Sequence, residues 1–179
     1  MAGSPQFRVY IAATVDGYIA DAQGSVAFLD AFEGENYGYK EFFRTIDTLV
    51  MGRRSFDQVL GFGNWPYEKR RTVVLSNREG DTAAAPNLEF AKGDIGSLAD
   101  RLAAQAQGDV WLMGGADVIR QFLAARRVHS IEIFVMPLLL GSGVRLFPEP
   151  GATADLALTE QQSYPSGVQR LFYAFKRTI

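Results

Sequence analysis

Two stretches of this 179-residue chain join an apolar run to a helical pattern through glycine, an arrangement able to hold phosphate. In Asp109–Leu123 (DVWLMGGADVIRQFL), Val110–Met113 reads as a strand buried on both faces, and Gly114-Gly115 follow at once. Val118, Ile119, Phe122 and Leu123 then recur at helical spacing. The glycines permit tight dihedrals and close approach, and the free amides of a first helical turn attract an anion. The candidate contacts are Gly114, Gly115, Ala116, Asp117 and Val118. A ligand-free turn would use the same residues. Asp47–Leu60 (DTLVMGRRSFDQVL) has the same plan, with Gly52, Arg53, Arg54 and Ser55 at the turn. Cations at a helix N-terminus oppose the dipole unless they hold an anion; a solvated arginine pair is the plainer alternative. The segments between the two stretches do not match, so they are not an internal repeat.

The elements that must position these turns follow from the pattern. Phe7–Val15 is rich in β-formers and ends at the Asp16-Gly17 turn, with a short extended piece at Tyr18–Ala20. Asp21–Gly38 is long and irregular, and Tyr39–Ile46 is a helix feeding a Thr48–Met51 strand. Gly61–Arg71 is a glycine- and aromatic-rich loop before the Thr72–Leu75 strand, which ends in Ser76-Asn77-Arg78. Leu88–Ala91 is a further strand, and Ser97–Gln107 a helix with Ser97 as N-cap. Ser130–Met136 is a strand stopping at Pro137, Leu138–Leu146 a turn-rich connection, and Leu156–Tyr164 with Val168–Arg177 a hairpin. Strand–helix alternation to about residue 136 predicts a mainly parallel sheet with helices on both faces.

Composition narrows the chemistry. No cysteine and a single histidine, His129, argue against thiolate chemistry, histidine metal clusters and Ser-His triads. His129 reads as a surface or edge residue. A net charge of −2 gives no general attraction to nucleic acid or an anionic membrane. The polar N-terminus MAGSPQ lacks a signal-peptide core, and the longest apolar run is too short to span a bilayer, so a cytoplasmic protein is expected. Ser130–Leu140 (SIEIFVMPLLL) is very apolar for a late strand near the sheet edge, which predicts a two-fold homodimer through the C-terminal strands; the alternative is that the closing hairpin covers this surface within one chain.

In open parallel sheets, ligands bind beyond the carboxyl ends of the strands, so the three turns can converge on one dinucleotide. No G-x-G-x-x-G fingerprint is present, which argues against a Rossmann domain. Ser76, Asn77 and Arg78 stand where a diol-binding acid would, and they suit a 2′-phosphate, hence NADP.

The order VYIAATVDGYIA, DTLVMGRRSF, VVLSNR, VWLMGGADVIRQFL and IFVMPLLLGSGVRLF resembles the dihydrofolate-reductase-like fold. It is more closely similar to the reductase domain of bacterial riboflavin biosynthesis and its stand-alone relatives, over roughly residues 7–177. The resemblance implies an α/β fold, a mainly parallel central sheet with flanking helices and a C-terminal antiparallel hairpin, in one domain spanning 1–179. It also implies NADPH across the strand ends and a homodimer. Ala12 and Ile19 would contact the nicotinamide, Gly52, Arg53, Arg54 and Ser55 would hold phosphate, and Ser76, Asn77 and Arg78 the 2′-phosphate. Gly114–Val118 would cradle the pyrophosphate.

Two departures bear on the substrate. The carboxylate that dihydrofolate reductases carry before the GR motif falls here at about Asn36-Tyr37, with Glu33 and Glu35 out of register. The lysine usual after Asp-Gly in the riboflavin reductases is Tyr18, and the deaminase domain often fused to them is absent. The expected activity is therefore NADPH-dependent reduction of a small pteridine- or aminopyrimidine-like heterocycle, by hydride transfer from nicotinamide C4. Asp16, Tyr18, Glu33 and Glu35 are the candidate proton donors. The alternative is a nucleotide-binding module that holds NADP without turnover.

Overall fold

The computed structural model describes residues 4–78 and 80–176. Its centre is β1 (Phe7–Thr14), flanked by β6 (Asp109–Gly114) and β7 (Ser130–Met136), both parallel to it. Beyond β6 lie β3 (Ile46–Gly52), β4 (Arg71–Leu75) and β5 (Leu88–Ala91), all parallel. Beyond β7 the sheet closes with antiparallel β10 (Gln169–Phe175) and β9 (Leu156–Ser163), giving the order β5-β4-β3-β6-β1-β7-β10-β9. A separate ribbon pairs β2 (Tyr18–Ala20) with β8 (Val144–Arg145). The architecture is the expected mainly parallel sheet with a C-terminal hairpin.

Alternation along the strands makes two cores. Phe7 and Val9 of β1 join Val110 and Leu112 under α3 (Ile95–Gln105) and α4 (Ala116–Ala124), where Leu102, Ile119 and Phe122 are fully buried. Leu49, Met51 and Trp111 take the opposite face, under Phe42 of α1 (Tyr39–Thr45) and Phe56 of α2 (Arg53–Gly61). Each such side chain contributes about 1.5–3 kcal/mol.

Several expectations shift. Val15 is 61% exposed and outside β1. Helix α3 starts before Ser97, because the Asp94 carboxylate accepts from the Ser97 amide at 2.7 Å and is the N-cap. His129 is half-buried rather than fully exposed: its Nδ1 accepts from the Phe7 amide at 2.9 Å and its ring stacks on Phe7. Strand β7 lies third from the β9 edge and is itself paired on both sides, by β1 and β10. The closing hairpin therefore covers β7 within one chain, while Leu139 beyond it is 71% exposed; the edge strands of the sheet are β5 and β9. The irregular Asp21–Gly38 stretch contains a 3-10 turn, Ala27–Phe32, and lays Phe28, Leu29, Phe32 and Tyr37 on Phe134, Met136 and Tyr164. The last residue of the expected hairpin, Arg177, and Met1–Gly3 of the N-terminus lie outside the described residues. Among the described residues no helix is long and apolar enough to cross a membrane.

Candidate functional site

Because β4, β3, β6 and β1 are adjacent and parallel, their carboxyl ends form one row, and the sequence turns sit on it. A β-carbon on Gly52 would stand 3.3 Å from Val118 Cγ2 and 3.9 Å from the Gly115 nitrogen. One on Gly115 would stand 3.7 Å from Ser55 Oγ. Gly52, Ser55, Gly115 and Val118 are therefore one cluster drawn from two turns. Gly114 has φ +118°, in the region that favours glycine, and the peptide bond joining it to Gly115 is cis. The helices α2 and α4 start at Gly52 and Gly115 with no side-chain cap, so their first amides remain available.

The polar residues of the turns divide. The Arg53 Nε donates to Asp57 Oδ1 at 2.8 Å and its guanidinium lies 5.5 Å from the Phe90 ring, so it is held over the gap between α2 and β5. Arg54 is exposed, with no ion pair among the described residues. Ser76 Oγ accepts from the Arg78 amide at 3.0 Å and donates to the Arg78 carbonyl at 2.8 Å, closing a tight turn that leaves Asn77 and Arg78 exposed. The Asp117 carboxylate is bound to Arg120 at 2.9 Å and to Gln121 at 2.7 Å within its own helix, leaving its backbone as its contribution to the turn.

Asp16 is a structural clamp. It accepts from the Thr14 hydroxyl at 2.5 Å, the Leu140 amide at 3.2 Å and the Gly141 amide at 2.7 Å, tying the end of β1 to the 138–146 connection. The Thr14 hydroxyl, aided by those amides, holds its carboxyl below the usual aspartate range. Tyr18 is 8% exposed, under the Arg145 guanidinium at 5.1 Å. Glu33 is exposed and Glu35 half-buried, and neither has an ion pair among the described residues. Tyr18 Oη also lies 3.5 Å from the Gly141 carbonyl, so Asp16 and Tyr18 meet at Gly141, whereas no contact joins Glu33 or Glu35 to them among the described residues.

Sequence reasoning did not foresee how Tyr10, Tyr37 and Ser166 meet on the flank beside Ala12. Tyr37 Oη lies 3.2 Å from Ser166 Oγ and donates to the Phe32 carbonyl at 3.1 Å. Tyr10 Oη donates to the Tyr37 carbonyl at 3.0 Å, and burial pushes the Tyr10 phenol far above its ordinary value. Ser166 carried no motif and Tyr37 was noted only for the carboxylate it replaces; the length of the 21–38 stretch signalled that it covers something.

A family model for the RibD C-terminal domain matches residues 5–170, which include every strand-end turn described above. The chain belongs to the RibD C-terminal domain family. Within the sequence neighbourhood of this RibD C-terminal domain is the uncharacterized protein YwjB of Bacillus subtilis, 31% identical over 90% of this chain and 93% of that one. Among solved structures, a putative riboflavin biosynthesis protein from Shewanella superposes with a TM-score of 0.87 at 29% identity, covering 96% of this chain and 99% of that one. A dihydrofolate reductase from Enterococcus faecalis, complexed with NADP(H), shares the fold at a TM-score of 0.67 and 16% identity over 96% and 97% of the two chains. The RibD C-terminal fold is thus of the dihydrofolate-reductase-like type.

Proposed function

We propose that this RibD C-terminal domain is an NADPH-dependent reductase of a small planar heterocycle. The observation that carries the reading is the cradle in which Gly52, Ser55, Gly115 and Val118 meet, where a Gly52 β-carbon would crowd Val118 at 3.3 Å. The residues fit a dinucleotide: glycine backbone and uncapped amides suit a pyrophosphate, and Arg53 beside Phe90 and the exposed Arg78 in the turn after β4 are the cations for a further phosphate. Ala12 and Ile19 would hold the nicotinamide edge. When bound, the cofactor supplies hydride.

The chain's own work is orientation and proton handling. Asp16, already hydrogen-bonded and ionised, holds the β1 end against Leu140 and Gly141 and does not donate a proton. The aromatic cover of Phe28, Phe32 and Tyr37 excludes water from the face beside Ala12. Tyr37 Oη, paired with Ser166, carries a proton on that face. Neither group is a carboxylate, which supports a substrate that needs no charged partner. The same absence supports the second reading, a module that binds NADP without turnover. Oxidation of NADPH, followed by nicotinamide absorbance against pterins, aminopyrimidines and nitro compounds, tests the two. Oxidation with one class supports the reductase; saturable NADPH binding with no oxidation by any of them supports the module.

A further inference from the structure

Past α4 the described chain forms only strands and connections, so no helix of its own covers the side of β10 and β9 that continues the α3-α4 core. Residues 146–156 (LFPEPGATADL) roof that side instead. The roof is made of small residues where it faces the sheet: Gly151, Ala152 and Ala154 line the gap beneath it and are too short to fill it. A cavity of about 200 Å³ remains. Its inner end is Ile131, 1% exposed, and Leu146, 2% exposed, with Leu123 of α4 and Phe175 of β10 beside them. The rim is apolar and reaches solvent through Phe147 and Leu156.

The roof is fixed at both ends. The Leu146 amide donates to the Gly17 carbonyl at 2.9 Å, and the Lys176 amide donates to the Asp155 carbonyl at 3.0 Å. Between those points Pro148 and Pro150 each hold one φ, which stiffens the span. Side chains that line such a gap lack contacts on one side, and a guest of matching shape restores them. The lining also sets the chemistry of that guest. Among the described lining residues only Arg120 is charged, and its Nε and Nη2 both turn to Asp117 Oδ1 on its own helix, at 2.9 and 2.5 Å. No carboxylate, hydroxyl or amide side chain joins it there. An apolar cavity of roughly 150 Å³ stays dry and admits benzene. The cavity shares no residue with the strand-end turns or with the aromatic cover beside Ala12. Ile131 pairs in register with Val9, upstream of Ala12, and Leu123 lies about 12 Å along α4 from Gly115.

We infer that this cavity is a ligand site for an uncharged apolar molecule of one ring, held by shape and burial. The inference does not rest on the reductase reading, and its test omits nucleotide. Toluene, benzoate and benzylammonium are titrated into the full chain, read by NMR shifts of the Leu123, Ile131 and Leu146 methyl groups. Toluene is expected to bind saturably and at least about tenfold more tightly than either ion, because a charged group at the mouth loses hydration and gains no partner. Ala154→Trp, at an exposed roof position, should fill the gap and abolish the toluene shifts with the fold kept by circular dichroism; Ala152→Trp should do the same, and Ala154→Ser should preserve the shifts. No saturable toluene shift, tighter binding of either ion, or toluene binding unchanged by both tryptophan variants would each overturn the site. A second copy is the other occupant that the rim would suit. A dimer in sedimentation that Phe147→Glu dissociates, with no toluene shift in either form, would assign the cavity to that copy and overturn the ligand site.

Discussion

Replacing Glu132 by alanine should destabilise the fold more than any surface charge would. The carboxylate is 4% exposed and is shared by Arg8 and Arg170 at 2.8 Å each. Removing one member of a buried ion pair costs about 3–5 kcal/mol, because the partners are left uncompensated. Here the guanidiniums are 18% and 20% exposed and keep Asp109 and Glu160, so the lower end, about 3 kcal/mol, applies. For a chain of this size about 2–4 °C is lost per kcal/mol, giving a Tm lower by about 6–12 °C. The control is the joint change Arg8→Met, Glu132→Leu, Arg170→Met, which removes the buried carboxylate together with both guanidiniums and should recover most of the loss. Thermal unfolding followed by circular dichroism reads both. A loss below about 1 kcal/mol for Glu132→Ala, the level of an exposed pair, would refute the reasoning by showing that water screens the network.

Other outcomes follow from the same geometry. Gly115→Val should leave the fold intact, since its backbone φ is −66° and the nearest atom to a new β-carbon is Ser55 Oγ at 3.7 Å. It should nevertheless block both NADPH and NADH, measured by titration, by filling the space the pyrophosphate needs. Asp16 and Asp94 are held below the usual aspartate range by the Thr14 hydroxyl and the Ser97 amide, respectively. A depressed folded pKa means that their contribution is complete at neutral pH and is lost as pH falls through the folded values; Asp16→Asn and Asp94→Asn should flatten that acid limb of a Tm profile. Dihydrofolate turnover should fall below about 1 per second, the low end of ordinary enzymes, because Asn36 and Tyr37 stand where the pterin carboxylate would be; a faster rate in a steady-state assay contradicts this.

The row of strand-end turns was legible because each is written locally: apolar run, glycine, helical spacing. Nothing nonlocal is needed to read Gly114-Gly115 or Gly52-Arg53. The side chains of the opposite flank are different. Tyr37 meets Ser166 across 129 residues, and Glu132 meets Arg8 across 124, pairings fixed by sheet order rather than spacing. The same ordering shows what covers the strand part of SIEIFVMPLLL: β1 on one side and β10 on the other. Asp16 was one of four candidate proton donors, and its bonds to Leu140 and Gly141 were not legible because they lie in a loop that the sequence leaves open. Ser97 lost the cap to Asp94 because both residue types cap and only geometry ranks them.

The central claim is that the strand-end row holds NADPH and that arginine selects it over NADH. Titration of both nucleotides against wild type, Arg53→Ala and Arg78→Ala tests it most directly. A charge-assisted hydrogen bond to the 2′-phosphate contributes about 1.5–3 kcal/mol, so at about 1.4 kcal/mol per decade each variant should bind NADPH about ten- to hundredfold more weakly. NADH binding should barely change, and the preference should collapse. Wild-type discrimination retained by both arginine variants, or equal affinity of the wild type for the two nucleotides, would contradict the account.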